Sequence, residues 1–270
     1  MAAMTRNWTV GVDAGGTWLR VLAADGGGRQ RVMRRPASDD LPAALRAVWR
    51  RWHLGPAEVA HLVVATRGVW TASERRAAAG RLRGLARRVT VISDAEAAHL
   101  GALAGRPGLL VLAGTGSIVL GRGAGGRWVR AGGLGPLFGD GGSAFALGRD
   151  WLATSHPSRA RRLVHAPNAV ARIAALAPRV LKLAARGRGP ARLAVTRGAF
   201  ALARFMRAAV EQARLSPPIS VSWAGTLLEN PAYRRMVWRM ARGLGLRIVP
   251  VAPRESALEA TARLARARVR

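Results

Sequence analysis

Two copies of one short sequence pattern, far apart in the chain, constrain the fold more than any other feature. The first copy is Val12–Thr17 (VDAGGT) and the second is Leu112–Ser117 (LAGTGS), 100 residues later. Each copy joins the end of an apolar strand to the start of another through small residues, glycine and a hydroxyl side chain. Similar strand and helix patterns follow both copies. We therefore predict an α/β fold with two related lobes around a cleft, each lobe beginning with a glycine hairpin.

The first hairpin has the residue types that hold a metal-bound phosphate. Gly15 and Gly16 allow backbone N–H groups to approach phosphate oxygens closely, and Thr17 adds a hydroxyl. Asp13, at the end of the strand, is our candidate ligand for Mg²⁺, either directly or through water. An ordinary hairpin turn with an aspartate at its edge is the alternative, and the matched second copy is what favours phosphate binding.

The second hairpin belongs to a glycine-rich stretch, Leu109–Ser143. After Gly114–Ser117, glycines recur in two further loops, at Gly132–Gly135 and at Gly139–Ser143. Three such loops predict a site where a phosphate and a polar substrate meet. Asp140, in the last loop, is a candidate for orienting substrate hydroxyls, and a turn or capping aspartate is the alternative interpretation.

A third aspartate, Asp94, lies where a predicted strand gives way to a helix. Ser93–Glu96 (SDAE) is a capping-box pattern, so Asp94 would be the first helical residue, at the sheet edge where α/β proteins bind ligands. It is a candidate general base that takes a proton from a sugar hydroxyl during phosphoryl transfer. A helix-start acid without a chemical role is the alternative. The chain has only seven aspartates, so the placement of Asp13, Asp94 and Asp140 at such positions supports a function.

The formal net charge of +30 raises the question of a nucleic-acid partner. Of the 44 lysines and arginines, however, only Lys182 is lysine. The arginines are scattered along predicted helices and do not form one basic block with interleaved aromatic residues. This distribution favours solvated helix faces and a GC-rich coding sequence over a nucleic-acid interface, and polyanion binding stays open as the weaker alternative.

The composition also excludes several kinds of site. The sequence has no cysteine, which excludes disulfides, iron–sulfur clusters and thiolate zinc sites. It has no P-loop lysine, so any ATP must be bound by backbone loops and a metal. No apolar run is long enough to span a membrane and MAAMTRNW lacks the core of a signal peptide, so we expect a cytoplasmic protein without a membrane partner.

The sequence Arg106-Pro107-Gly108 marks the predicted boundary between two lobes, residues 1–105 and 106–270. In the first lobe, the patterns predict strands at 8–14, 17–24, 29–35, 61–66 and 89–92, and helices at about 40–52, 73–88 and 94–104. In the second lobe, they predict strands from 109, at 118–120, 219–223 and 246–249, and helices at about 143–154, 158–214 with breaks, 231–242 and 255–268.

Five segments, in this order, carry a family resemblance: VGVDAGGT, ISDAEAA, VLAGTGS, GGLGPLFGDGGSA and VSWAGTLLEN. They resemble the N-acetylglucosamine kinase and BadF/BadG/BcrA/BcrD ATPase family of the actin/hexokinase/Hsp70-like superfamily. The resemblance implies two ribonuclease H-like (actin-like ATPase) lobes with ATP and Mg²⁺ in the cleft between them. By matching positions, it implies Asp13 as the metal ligand; Gly15, Gly16, Thr17, Gly114, Thr115, Gly116 and Gly225 for ATP; Asp94 as the catalytic base; and Ser117, Gly133, Leu134, Gly135 and Asp140 for the amino sugar.

The chain departs from the family pattern mainly in the loops that would contact the substrate. Ser38 stands where the family usually offers an asparagine, and Arg67 follows a strand that usually ends in small residues. Leu134 replaces a common aromatic residue, and Gly141 stands where glutamate is common. These changes concern substrate recognition more than ATP binding, so they leave the acceptor sugar open.

We predict an ATP-dependent kinase for N-acetylglucosamine or a related amino sugar. An ATPase or nucleotide-dependent regulator on the same fold is the alternative, and homodimer formation is left open. The cluster-bearing activator ATPases of the family ligate their cluster with cysteine, and this chain has none.

Overall fold

The computed structural model describes residues 7–267. Contacts divide them into two compact units. The first holds the residues up to Gly105 together with those from Arg254 onward, and the second runs from Arg106 to Pro253. None of the described helices combines the length and apolarity that crossing a lipid bilayer requires.

The first unit is a mixed sheet flanked by helices. Its elements up to Gly105 are β1 (Trp8–Ala14), β2 (Trp18–Ala24), β3 (Gln30–Pro36), α1 (Leu41–Trp52), β4 (Val59–Thr66), α2 (Ala72–Arg81), β5 (Arg88–Ser93) and α3 (Asp94–Ala102). The strand order is β3-β2-β1-β4-β5. β1, β2 and β3 are antiparallel neighbours, whereas β1, β4 and β5 run parallel.

The second unit contains a sheet of the same size and a longer helical insertion. Its elements are β6 (Gly108–Ala113), β7 (Ser117–Arg122), β8 (Trp128–Gly132), α4 (Gly135–Phe138), α5 (Ala144–Ser155), α6 (Pro157–Val164), α7 (Ala169–Ala174), α8 (Ala177–Ala185), α9 (Gly189–Ala213), β9 (Ile219–Ala224), α10 (Thr226–Glu229), α11 (Pro231–Gly243) and β10 (Ile248–Pro250). The strand order is β10-β9-β6-β7-β8.

The two sheets have the same topology. In each, the first strand is central, pairs antiparallel with the second and runs parallel to the fourth. The fifth strand extends the parallel side and the third extends the antiparallel side. The predicted α/β class with two related lobes is confirmed.

The last helix, α12 (Ala257–Ala267), packs against β1, β4 and α3 of the first unit. Gly11 in β1 makes this packing possible, because a Cβ atom there would lie 2.3 Å from the backbone nitrogen of Ala262. The observed division therefore differs from the predicted lobe of residues 106–270. The helical period specifies an apolar face, but it does not specify which sheet that face covers.

Other differences concern the ends of elements. Helix α2 ends at Arg81, short of the predicted residue 88, because Gly84 adopts a left-handed backbone with φ of 77°. Strand β8 follows the second hairpin, at residues to which we assigned no strand from the sequence. The predicted last helix extended to Arg268, which lies outside the described residues.

Candidate functional site

The turn after β1 is a tight loop at the carboxyl end of the central strand. The Gly15 N–H donates to the Trp18 carbonyl at 3.0 Å, which closes the hairpin. Gly16 and Thr17 are exposed. Their backbone N–H groups and the Thr17 hydroxyl are therefore accessible to an anion, as a phosphate-binding turn requires.

Asp13 precedes this turn and is buried. One of its carboxylate oxygens, Oδ2, accepts a hydrogen bond from Arg20 Nη1 on β2 at 2.8 Å. The carboxylate is thus oriented by an antiparallel neighbour before any ligand is bound.

Asp94 begins α3, as the capping box predicts. Ser93 is the N-cap: its Oγ accepts from the Glu96 N–H at 3.1 Å, and Glu96 Oε2 accepts from the Ser93 N–H at 3.0 Å. Arg75 Nη2 on α2 pairs with Glu96 Oε1 at 2.6 Å and fixes the buried end of this helix. Asp94 Oδ1 accepts from the Ala95 N–H at 2.8 Å.

The surroundings of Asp94 raise the pKa of its carboxyl group. Burial is the largest influence and raises the pKa of the Asp94 carboxyl, and the charge of Asp13 raises it further. The hydrogen bond from Ala95 and the positive charge of Arg67 act in the opposite direction. Asp94, Asp13 and Arg67 therefore interact at one end of the sheet, where β1, β4 and β5 terminate. A raised pKa brings a carboxyl closer to the range in which it exchanges protons during catalysis.

A cavity of 360 Å³ opens beside the first hairpin, entirely within the first unit. It is lined by Ala14, Gly15, Gly16, Leu19, Ala37, Ser38, Asp39, Leu41, Pro42, Thr66, Arg67, Ala78, Arg81 and Leu82. The Ala37 N–H donates to the Thr17 carbonyl at 3.0 Å, which joins the segment after β3 to the turn. The volume falls in the range of small-ligand sites.

The second hairpin occupies the position in its sheet that the first hairpin occupies in the other sheet. Different backbone groups hold it in place. The Gly114 N–H donates to the Gly116 carbonyl at 2.9 Å. The first backbone N–H groups of α5, from Ala144 and Phe145, donate to the carbonyls of Gly114 and Thr115 at 2.8 and 3.2 Å. The hairpin is therefore held by a helix N-terminus, whose unpaired N–H groups it satisfies.

Asp140 is buried against this hairpin. Its Oδ1 accepts from the Ser117 N–H at 3.2 Å, and a Cβ at Gly116 would lie 3.0 Å from Oδ2. Ser117 Oγ donates to the Gly141 carbonyl at 2.9 Å. Asp140 itself adopts a left-handed backbone with φ of 59°, which aspartate tolerates better than most residues. These contacts give Asp140 a role in shaping the hairpin, and its predicted contact with substrate stays a prediction.

The loop between β8 and α5 combines glycines with exposed apolar side chains. Gly133 and Gly135 both have positive φ, at 72° and 81°. Leu134, Leu137 and Phe138 are 62%, 86% and 84% exposed. A Cβ at Gly139 would lie 2.7 Å from the Leu134 nitrogen, so the loop packs closely on itself.

Gly225 follows β9 and lies against the start of the second hairpin. Its φ is 92°, and a Cβ there would lie 2.4 Å from the Ala113 carbonyl oxygen. Next to it is a cavity of 660 Å³ within the second unit. This cavity is lined by Thr115, Ala144, Ala171, Ala174, Ala175, Ala177, Pro178, Leu181, Lys182, Ala185, Thr226, Leu227 and Asn230.

The predicted residues thus fall into two groups, one in each unit. Asp13, Gly15–Thr17 and Asp94 lie together in the first, and Gly114–Ser117, Asp140 and Gly225 lie together in the second. A Cβ at Gly133 would lie 2.8 Å from the Ile118 side chain, just past the second hairpin. Among residues 7–267, no cluster of three or more histidine and acidic side chains is placed to hold a metal ion.

Sequence reasoning missed three cavity residues. Lys182, known from the sequence only as the single lysine, lines the larger cavity. Arg67 stands where the family pattern has small residues and Arg81 lies in a predicted helix, yet both line the smaller cavity. Their rarity or unusual position was the available signal, but which cavity they reach depends on tertiary structure.

Comparisons with known proteins identify the family and the fold of the chain. The model of the BadF/BadG/BcrA/BcrD ATPase family matches residues 5–249 of the chain. The N-acetylmuramic acid/N-acetylglucosamine kinase of Clostridium acetobutylicum is 43% identical over 68 residues. That match covers 25% of this chain and only 22% of the length of the relative.

Solved structures match over nearly the whole chain. A protein of Chromobacterium violaceum, provisionally designated an N-acetylglucosamine kinase, is 24% identical with a TM-score of 0.69, and the match covers 97% of this chain and 99% of the other. The ROK hexokinase of Thermus thermophilus is 21% identical with a TM-score of 0.60, over 97% and 100%. At these identities the similarities establish the two-lobe fold.

Proposed function

Because this chain belongs to the BadF/BadG/BcrA/BcrD ATPase family, we propose that it is an ATP-dependent kinase of N-acetylglucosamine or a related amino sugar. The observation that carries the proposal is the arrangement at the end of the first sheet. There, an exposed glycine turn adjoins two interacting carboxylates, Asp13 and Asp94. Phosphoryl transfer requires a phosphate-binding turn, a metal ligand and a group that accepts the hydroxyl proton. The similarity to the Clostridium N-acetylmuramic acid/N-acetylglucosamine kinase supports an amino-sugar acceptor.

ATP would bind through both hairpins and the larger cavity. Gly15, Gly16 and Thr17 would contact phosphate oxygens from the first unit, and Gly114–Gly116 from the second. The adenosine would occupy the 660 Å³ cavity, which adjoins Thr115 and Thr226 and is otherwise largely apolar. An apolar cavity next to backbone N–H donors suits a flat base attached to a charged phosphate chain.

The residues of the first unit fit a magnesium ion bound together with ATP. Mg²⁺ is commonly held by one or two carboxylates, with phosphates and water as its other ligands. Asp13 is oriented by Arg20 and supplies such a carboxylate beside the phosphate turn. When bound, the ion would neutralise charge on the phosphates.

Asp94 would serve as the general base, and the glycine loops would orient the acceptor. The Asp94 carboxylate would take the proton from the sugar hydroxyl as that oxygen bonds to the γ-phosphorus of ATP and the bond from this phosphorus to the leaving ADP breaks. Ser117, Gly133, Leu134, Gly135 and Asp140 are the remaining residues proposed to contact or shape the sugar site.

The direct test is phosphate transfer from γ-labelled ATP to a panel of sugars, with calorimetry of ATP and of each sugar. A kinase should transfer phosphate to at least one N-acetylated amino sugar much faster than to water. ATP binding and hydrolysis without transfer to any sugar would instead establish the alternative, an ATPase or nucleotide-dependent regulator.

Lys182 allows a separate test of the nucleotide cavity, because it is the only lysine in the chain. The 2′,3′-dialdehyde of ATP forms an imine with a nearby amine, and borohydride reduces the imine to a stable adduct. We expect peptide mapping to find the adduct on Lys182 and excess ATP to prevent it.

The Lys182→Arg variant is the matched control, because it keeps the charge and removes the reactive amine. It should bind ATP and lose the internal adduct. If the adduct in the parent protein forms only at the N-terminal amine, the nucleotide does not bind in the cavity that Lys182 lines.

A further inference from the structure

A cavity of 480 Å³ lies in the first unit, between the last turns of α1 and the segment Gly84–Leu85 that follows α2. We call it the α1 cavity. Among the described residues, it shares none of its lining with the smaller cavity beside the phosphate turn, which reaches the first turn of α1 at Leu41 and Pro42. The α1 cavity is therefore a separate concave site that the proposed kinase function does not use.

Three basic side chains line the α1 cavity from one face of α1 and its C-cap. Arg46, Arg50 and His53 are spaced four and three residues apart, which places them on the same side of the helix. Their side chains form no hydrogen bond or salt bridge with any of the residues 7–267. Free guanidinium groups around one concave site are well suited to bind a phosphate group.

No carboxylate neutralises these side chains from within the cavity. The lining formed by the described residues contains no aspartate or glutamate. Glu58, the acid closest to the lining in sequence, accepts from the Gly55 N–H at 2.7 Å through its Oε2. Like charges four residues apart on a helix repel each other, so Arg46 and Arg50 destabilise α1 in the free protein. A bound anion would offset this repulsion.

The helix macrodipole explains only part of the basic cluster. Cations are stabilised in the last turn of a helix, where Arg50 and Arg51 both lie. Arg46 lies one turn earlier, and Arg51 is exposed but does not line the cavity. Stabilisation of the helix end therefore does not account for three basic side chains around one cavity.

The rest of the lining is apolar and is held in place without a ligand. Trp49 is 3% exposed, and its Nε1 donates to the Leu85 carbonyl at 2.8 Å, which joins α1 to the segment after α2. Leu54 and Pro56 extend the apolar lining beside it. The volume is typical of small-ligand sites, and an apolar lining with a few charged groups suits a flat ring that carries a charge.

The number and arrangement of donors favour phosphate on a small molecule. A phosphate monoester presents three terminal oxygens to the two guanidinium groups and the imidazole, whereas a carboxylate presents two. Nucleic acid, in contrast, is bound by a basic groove that follows its backbone over several nucleotides. A single concave site fits the small molecule better.

We infer that the α1 cavity is a binding site for a small phosphate monoester whose phosphate is attached to a flat, apolar ring, as in an aryl phosphate or a nucleotide. Arg46, Arg50 and His53 contact the phosphate, and Trp49 and Leu54 contact the ring. The inference does not depend on the proposed kinase function, because it concerns a different cavity.

Calorimetry with 1-naphthyl phosphate tests the inferred binding, and related compounds separate its contributions. Inorganic phosphate lacks the ring, and 1-naphthol lacks the charge. The parent protein should bind naphthyl phosphate about 10-fold or more tightly than either compound, because each lacks one of the two recognised groups. Uridine 5′-monophosphate separates the two sources: the tighter of the two phosphate esters identifies the ligand as a nucleotide or as an aryl phosphate.

A variant that combines Arg46→Gln with Arg50→Gln should bind naphthyl phosphate about 10-fold or more weakly, the loss expected for a charged hydrogen bond. Glutamine is a good helix former and removes the repulsion between the two arginines, so the melting temperature should equal or exceed that of the parent. ATP binding should stay unchanged, which keeps this test distinct from tests of the kinase.

The matched control combines Arg51→Gln with Arg76→Gln. It removes the same charge from exposed positions of the same unit that do not line the α1 cavity. Because the net charge of the two double variants is equal, attraction by the overall charge of +30 should affect them equally. The control should bind naphthyl phosphate as tightly as the parent.

Several results would overturn the inference. The first is a parent protein that does not bind naphthyl phosphate, and the second is equal affinity or equal loss in the two double variants. Binding of 1-naphthol or of inorganic phosphate as tight as that of naphthyl phosphate would refute the combined recognition of ring and charge. A short oligouridylate that binds more tightly than uridine 5′-monophosphate and requires Arg46 and Arg50 would identify nucleic acid as the ligand instead.

Discussion

Phosphate transfer by an Asp94→Asn variant is expected to be about 10²- to 10⁴-fold slower than by the parent protein, the usual contribution of a general base. Asparagine keeps the oxygen that accepts from the Ala95 N–H, so the start of α3 should be preserved. The amide cannot accept the proton of the sugar hydroxyl. The measurement is the kcat of transfer from γ-labelled ATP, with ATP affinity determined separately.

The melting temperature of Asp94→Asn tests whether the variant has lost catalytic activity while keeping its fold. The pKa of Asp94 is raised in the folded protein, mainly by burial. Between the unfolded and folded pKa values the folded state binds more protons, so ionisation of Asp94 lowers the free energy of unfolding as pH rises through this window. Asp94→Asn removes that effect, and its melting temperature at neutral pH should equal or exceed that of the parent.

The pH profile and a control variant complete this test. The parent kcat should fall on the acid side as Asp94 becomes protonated, with an apparent pKa above that of an ordinary aspartate. Asp150→Asn changes an aspartate on α5 whose side chain pairs with the neighbouring Arg149, and it should transfer phosphate at the parent rate. An Asp94→Asn protein that is folded and works within a few-fold of the parent would remove Asp94 from the mechanism.

The features that sequence predicted best depend on neighbouring residues along the chain. The strand at Trp8–Ala14 has the predicted bounds, and the capping box at Ser93–Glu96 forms the two predicted hydrogen bonds. Both hairpins connect antiparallel strands as their spacing indicates. Each of these is decided by local geometry, which a short sequence pattern is sufficient to specify.

Features decided by packing between distant segments were not predictable in the same way. The Asp140 carboxylate accepts from the Ser117 N–H, 23 residues earlier, a contact that the sequence did not indicate, and its contact with substrate stays a prediction. Helix α12 packs on β1 across almost the whole length of the chain. The smaller cavity likewise joins segments after β1, β3 and β4 with α2. Sequence period shows that a helix or strand has an apolar face, but not what lies against it.

Replacing Gly225 by valine is expected to lower the free energy of unfolding by about 3 kcal/mol, because backbone strain and a steric clash act together. The φ of 92° is a conformation that only glycine adopts readily. A Cβ atom would also lie 2.4 Å from the Ala113 carbonyl oxygen, closer than any real contact. The clash is with backbone, so a side-chain rotation cannot relieve it. Urea unfolding with a constant m-value measures the change.

The same substitution should weaken ATP binding by about 10-fold or more, the loss expected when a charged hydrogen bond is displaced. Ala113 ends β6, and Gly114 begins the second hairpin directly after it. Moving the Ala113 carbonyl away from residue 225 therefore moves the N–H groups proposed to contact phosphate. Calorimetry with ATP at a temperature where the variant is fully folded separates this effect from unfolding.

Gly243→Ala is the matched control in the same unit. Gly243 ends α11, has no atom within 4 Å of a built Cβ and does not have a positive φ. Alanine there should leave ATP binding unchanged and keep or slightly raise stability, since it restricts the unfolded chain. If Gly225→Val were folded and bound ATP as tightly as Gly243→Ala, the close approach of residue 225 to β6 would not position the hairpin, and the nucleotide would have to be held by other groups.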